Sequence, residues 1–301
     1  MSKEIKILEV GLRDGIQNEK IHFSVNDRLY ILKKLIASGV RYIEVGSFVS
    51  PKVMPSMSLT STLMKKIHRS LKIPKNVELS ALVPNERGFD IAFDHGLKSM
   101  AVLTSATESF SRKNVNCSIK ESLKRIKVIC GRARQCRVRI RGYLSMAFVC
   151  PYEGAISTGK VLNIAEKMIG LGVEEVVLSD TVGGATPLQV LSMIEKISRK
   201  IPLSKINLHC HNTRGMALPN ILTALNAGVR SFDSSIGGLG GCPYALGSAG
   251  NVATEDMVLL LQGMKKKSSI DLKKLVQISE WLKKKKKVRL SSHISRSTLK
   301  L

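Results

Sequence analysis

Aromatic side chains are scarce, at 4% of the chain with a single tryptophan. Base stacking needs such rings, so a nucleic-acid binder is not expected. Acidic residues are also few, 23 against 48 Lys and Arg, giving a formal net charge of +25. That field suits lysine-rich solvated helix faces, and it would also help capture a phosphate-bearing substrate. The six cysteines (117, 130, 136, 150, 210, 242) form no CxxC pair and no short secreted framework. Reduced thiols in a cytosolic protein are expected. No apolar run reaches the roughly 20 residues of a membrane span. The opening MSKEIKILEVG runs almost directly into a strand. It leaves no room for a signal or transit segment, so a bacterial-like cytoplasm is expected. The closing TLKL matches a peroxisomal tripeptide only loosely. No GxGxxG follows the first strand, which weakens the case for an open, doubly wound sheet.

What the chain does contain is a regular alternation of short β-branched runs and longer amphipathic stretches. The pattern predicts strands over 5–10, 41–48, 77–83, 99–105, 137–147, 174–179, 205–210 and 231–236. Helices are predicted over 24–38, 58–70, 85–95, 118–134, 160–171, 187–200, 216–227 and 254–263. Ser24 and Asp27 form a capping-box pair, and Pro187 opens its helix in the first turn. A weak repeat (ASGVRYIEV, DHGLKSMAV, GLGVEEVVL, NAGVRSFDS) marks helix end, glycine, then strand. Eight such units imply a closed (β/α)8 TIM barrel, which takes roughly 250 residues. Residues 1–264 are expected to form this catalytic barrel, and 265–301 a basic helical C-terminal extension. Its helix, 270–287, ends in Lys283 to Lys287, and the last dozen residues are expected to be disordered.

In such barrels the chemistry sits at the C-terminal ends of the strands. Arg13 and Asp14 end strand 1, Glu44 and Ser47 lie on strand 2, and Arg141 and Tyr143 on strand 5. Asp180 ends strand 6, His209 and His211 end strand 7, and Cys242 and Asn251 follow strand 8. Residues two apart on a strand share a face, so His209 and His211 converge while Cys210 points away. Such a pair could be two satisfied strand histidines, or half a metal site. With Asp14 and Asn251 they make an oxygen and imidazole set without thiolate, suited to Mg²⁺ or Mn²⁺, with zinc possible. Arg13 could neutralise Asp14 or stabilise an oxyanion. Glu44, inside an apolar strand, must be paired or must support the metal region, and Glu9 is similarly placed. Cys242 lies in GGLGGCPYALGSAGN, a glycine-rich loop able to close over a site and bring a thiol as proton donor. The other cysteines are read as buried thiols.

These residues lie in stretches that resemble the 3-hydroxy-3-methylglutaryl-CoA lyases, metal-dependent TIM-barrel lyases akin to isopropylmalate and homocitrate synthases. The stretches are EVGLRDGIQNEK (9–20), IEVGSFVSPKVMPSM (43–57), ESFSRKNVNCSIKES (108–122), RGYLSMAFVCPYEG (141–154) and SDTVGGATP (179–187). LHCHNTRGMALPN and GGLGGCPYALGSAGNVATEDMV complete the set. The resemblance implies retro-Claisen cleavage of an acyl-CoA to acetyl-CoA and acetoacetate, as in leucine breakdown, with a divalent ion held by Asp14, His209, His211 and Asn251. It implies Arg13 as the cation for the enolate, Cys242 in its protonation, and His209 and Asp180 in proton handling. Glu44 completes the catalytic set, and Arg13, Gln17, Lys20, Ser47, Arg141 and Tyr143 are candidate substrate contacts. Lys20 is the candidate for the CoA phosphates. A homodimer is the family expectation. A related acyl-CoA lyase or a condensing synthase of the same barrel is the alternative. Leu12, Met146, Phe148, Asn212, Arg214 and Met216 depart from the usual family pattern.

Overall fold

The computed structural model describes residues 4–241, 250–266 and 268–296. In chain order the elements begin with β1 (Lys6–Glu9), α1 (Val25–Ala37), β2 (Tyr42–Ser47), α2 (Thr60–Ser70), β3 (Glu78–Leu82) and α3 (Glu86–Asp94). Next come β4 (Ser99–Ser105), α4 (Glu108–Val115), α5 (Ile119–Cys136), β5 (Arg139–Ser145), β6 (Val149–Cys150) and β7 (Gly154–Ala155). Then follow α6 (Thr158–Leu171), β8 (Glu175–Asp180), α7 (Pro187–Ser198), β9 (Ile206–Cys210), α8 (Ala217–Asn226), β10 (Ser231–Ser234), α9 (Thr254–Gly263) and α10 (Leu272–Lys286).

Eight of the strands close into one parallel barrel in the order β1-β10-β9-β8-β5-β4-β3-β2. Closure is made by β10 against β1, in register from Lys6–Ser231 to Glu9–Ser234. The expected (β/α)8 barrel is therefore the fold, and the open sheet is excluded. The period of two along each strand sorts side chains to two layers. Ile43, Val45, Ile140, Leu144, Leu208, Cys210 and Phe232 join the apolar layer beneath the helices. Their neighbours Glu44, Arg141, His209 and Asp233 are also buried, on the other side of the sheet, where Asp233 pairs with Arg141 and His209, and Glu44 with Arg13. A small apolar layer of Leu82, Ala101, Tyr143 and Val177 fills the space beside them.

Local signals explain several element ends. Ser24 and Asp27 make the predicted capping box, and Ser118 with Glu121 makes a second one; each such cap is worth about 1 kcal/mol. Three features stand out against expectation. The first strand stops at Glu9, and residues Gly11–Gly15 form a turn of π-helix. A single turn of π-helix is too short to show as a periodic pattern. Strand β5 stops at Ser145 rather than 147, because Met146 takes a left-handed φ of 57° before the β6–β7 hairpin. Helix α4 was not predicted, since eight polar-rich residues carry little periodicity.

The C-terminal helix packs on the barrel as expected, but the segment after it departs from expectation. Helix α10 is wedged between α9 and α1, burying Leu272, Leu275, Ile278 and Leu282 and laying Trp281 on Tyr30. The segment after it is ordered at least to Arg296, not disordered from about residue 290. Val288, Leu290 and Ser292 are buried there. Asp256 accepts from Ser292 Oγ at 3.0 Å and from the backbone N–H of His293 and Ile294 at 2.8 and 3.0 Å. Ser291 N–H donates to Gly237 O at 3.0 Å. A buried carboxylate must find donors, and this strap supplies them. Among the described residues no helix is long and apolar enough to cross a membrane.

Candidate active site

The π-helical turn after β1 carries both Arg13 and Asp14. It needs glycine at position 11, where a Cβ would run into the Glu9 carboxylate. Glu9 itself is fully occupied: it accepts from Gly11 N–H and Ile236 N–H, each at 2.8 Å, and from Thr254 Oγ1 at 2.5 Å. Burial outweighs those bonds and pushes its carboxyl up to about 7. Glu9 thus ties the start of the site turn to the turn after β10 and to the start of α9, and does not enter the site.

Asp14 is where the sequence-predicted ligands meet. Its Oδ2 lies 3.4 Å from His211 Nε2 and 3.9 Å from His209 Nε2. The ligand atoms of these three residues all fall within 4.8 Å of one another. Asn251, bridged to His211 through the backbone, donates Nδ2 to Asp14 Oδ2 at 2.8 Å. Asn251 Oδ1 is buried and has no hydrogen-bond partner among the described residues. Gly250, just before it, has no room for a Cβ because the Gly238 carbonyl occupies that space. All four residues named from sequence are therefore together. One carboxylate, two imidazoles and an orphaned amide oxygen fit a hard divalent ion, and the unpartnered oxygen is the atom such an ion would satisfy.

Two ladders of alternating charge lead up the barrel interior to Asp14. In the first, Arg13 donates Nη1 to Asp14 Oδ1 and Nε to Glu44 Oε2, both at 2.5 Å. Tyr143 donates its hydroxyl to the same Glu44 oxygen at 3.0 Å, and Arg141 donates to that hydroxyl at 3.2 Å. Glu44 therefore holds Arg13; it hydrogen-bonds no metal-ligand candidate. In the second, Arg141 pairs with Asp233 at 2.8 Å and with Glu175 at 3.3 Å. Asp233 then contacts His209 Nδ1 at 3.2 Å. Each buried charge has an opposite neighbour, as burial demands.

The electrostatics follow from these pairs. Burial pushes the Asp14 carboxyl up, but Arg13, a hydrogen bond from His211 and both imidazoles outweigh it and hold it well below the usual range. Burial likewise raises Asp233, yet Arg141 and His209 bring it down to about 2. Asp180 goes the other way, raised by burial even though it accepts from Gly184 N–H and Ala185 N–H at 2.9 and 3.1 Å. Its carboxylate holds the turn after β8.

The remaining sequence candidates are spread around the rim. Gln17 is half-buried, and its carbonyl accepts from Ser56 Oγ at 2.8 Å. Lys20 is exposed, and Ser47 is buried, its hydroxyl without a partner among the described residues. Arg214 is exposed on the turn after His211. Cys242 lies outside the described residues. Sequence reasoning missed Asp233. The only signal for it was an acidic residue inside the otherwise β-forming run SFDSS.

Comparison with known proteins gives the same reading. The HMGL-like family model matches residues 4–282. The chain is 40% identical over 301 residues to the mitochondrial hydroxymethylglutaryl-CoA lyase of Pongo abelii, covering 100% of this chain and 91% of that protein. The solved HMG-CoA lyase of Bacillus subtilis matches at TM-score 0.93 and 40% identity, over 98% of this chain and 97% of that one. An HMG-CoA lyase of Acinetobacter baumannii, solved with coenzyme A and 3-methylmalate, matches at TM-score 0.93 and 30% identity, over 99% and 97%. With its barrel, its rim of candidate ligands and relatives that match from end to end, the chain belongs to the HMGL-like family.

Proposed function

We propose that this protein is a divalent-metal-dependent carbon–carbon lyase that cleaves 3-hydroxy-3-methylglutaryl-CoA to acetyl-CoA and acetoacetate. The observation that carries the reading is the meeting of Asp14, His209, His211 and Asn251 beside the buried cation Arg13. Mg²⁺ or Mn²⁺ held there would act as a Lewis acid on the substrate's oxygens.

The chain's own residues supply the rest. A base takes the proton of the C3 hydroxyl, the C2–C3 bond breaks, and its electron pair goes to C2 as the enolate of acetyl-CoA. Asp180, whose carboxyl burial raises, is the candidate for that proton; His209, implied for the same task by the resemblance, has Nδ1 committed to Asp233 and Nε2 turned to Asp14. Arg13, fixed by Glu44 and Asp14, offers a preorganised cation to the enolate oxygen. Glu44, held in turn by Tyr143, keeps Arg13 in place, and Arg141 braces Tyr143. Cys242 delivers a proton to C2. Gln17, Lys20 and Ser47 line the approach, and Lys20 is the choice for a CoA phosphate because it is exposed.

The catalytic unit is assigned to residues 1–264 and the extension to 265–301. A cytoplasmic setting is supported by the free thiols of Cys117, Cys130, Cys136, Cys150 and Cys210. A homodimer is assigned on family grounds, and light scattering should return twice the 33.0 kDa chain mass.

The direct test is product analysis. Incubation of the thioester with the protein and Mn²⁺ should release acetoacetate, and a chelator should abolish release. No acetoacetate with either Mg²⁺ or Mn²⁺ would end this reading. Replacing Cys242 with serine should lower kcat by about 10²-fold, the usual contribution of an acid–base group, with Mn²⁺ affinity unchanged. Wild-type turnover would remove the thiol from the mechanism.

A further inference from the structure

The two site histidines differ at their second ring nitrogen. His211 Nδ1 is buried and has no hydrogen-bond partner among the described residues. His209 Nδ1 lies 3.2 Å from Asp233 Oδ2. Asp233 is itself buried, and its other oxygen, Oδ1, accepts from Arg141 Nη2 at 2.8 Å. Arg141 also reaches Tyr143 and Glu175, so the guanidinium is anchored on three sides. The Asp233 side chain is therefore fixed in rotation, one oxygen to each partner.

A carboxylate paired to a guanidinium only accepts hydrogen bonds. The contact with His209 thus requires the ring proton on Nδ1. Nε2 is then left with a bare lone pair, and Nε2 is the nitrogen that faces Asp14. An imidazole can ligate a cation only through a nitrogen without a proton.

We propose that Asp233 is a positioning residue that fixes the Nδ1–H tautomer of His209 and so presents Nε2 as a ligand for the divalent ion, with Arg141 fixing the rotation of Asp233. The proposal rests on the metal-centre reading given above. It assigns a task to a residue that touches neither ion nor substrate, and it makes the two histidines unequal: His209 is preset, His211 is not.

Asp233→Asn provides a sharp test because it is nearly isosteric yet should invert the tautomer. Arg141 can only donate, so the amide must turn its oxygen to Arg141 and its NH₂ to His209. Nδ1 must then accept, the ring proton moves to Nε2, and the ligand atom is blocked. Asp233→Ala removes the same charge but imposes no tautomer. Calorimetric titration with Mn²⁺ should show binding weakened about 10–100-fold in Asp233→Asn, the usual range for a partner of a ligating histidine. Asp233→Ala should bind more tightly than Asp233→Asn. If the alanine variant is equal or weaker, only charge matters and the proposal is overturned.

Nitrogen-15 shifts of the metal-free wild type test the same point without a variant at Asp233. The His209 ring, assigned by its loss in His209→Gln, should report a protonated Nδ1 and a bare Nε2. The opposite pattern would overturn the proposal. Absence of Mn²⁺ binding by the wild type would instead refute the metal centre, and the tautomer result would stand by itself.

Discussion

Replacing Arg13 with methionine is expected to lower kcat by about 10²–10³-fold, the cost of losing one preorganised donor at a developing oxyanion. Methionine keeps much of the length and removes only the charge and the donors. The guanidinium is buried between Glu44 and Asp14, and the low-dielectric setting makes its charge count for more than it would in water. The same substitution strands two carboxylates. Breaking a buried pair typically costs roughly 3–5 kcal/mol, so thermal stability should also fall. Added Mn²⁺ should restore part of it, because the ion would compensate Asp14 but not reach Glu44. Steady-state kinetics and melting curves with and without Mn²⁺ separate the two effects. Turnover within threefold of wild type would show that Arg13 serves structure alone.

Asp14→Asn should have the second large effect. Its carboxylate is the one anionic group among the four candidate ligands, and it contacts both imidazoles, Asn251 and Arg13. An amide removes the charge, and it turns an acceptor into a donor toward neighbours that already donate. Mn²⁺ binding should weaken by more than about 100-fold, beyond the usual effect of altering a ligand's supporting partner. Acetoacetate release should disappear with it. Calorimetry or the electron paramagnetic resonance of free Mn²⁺ measures the first, and wild-type affinity would dissolve the four-residue centre. Arg13→Met should retain the ion while losing turnover, so the two substitutions distinguish binding from chemistry.

Much of this arrangement is legible in the sequence because it follows from local rules. The spacing of His209 and His211 puts two imidazoles on one face of a strand whatever the rest of the chain does. Ser24 and Asp27 close a helix start within four residues. Glycine before each of several strands marks the same local event repeated. Other features had no local trace. The turn at Gly11–Gly15, which aims Arg13 and Asp14, is too short to be periodic. The strap beyond α10 is rich in serine and basic residues, a composition that usually stays in water. It is ordered because Asp256, buried under it, needs donors, and the Ser292 hydroxyl and the strap's backbone N–H groups provide them. Glu44 was recognisable as a buried carboxylate that must be paired, but not as the partner of Arg13, which lies 31 residues away.

By itself, then, the sequence determined the number of strand–helix units, their closure into a barrel and the residues able to ligate an ion, because periodicity and spacing act over a few residues. Only the tertiary structure decided how those residues are held. Asp233, Arg141 and His209 come from three strands, and nothing along the chain says that their side chains meet. Barrel closure turns them inward together, and exclusion of water then leaves each buried charge no partner but another.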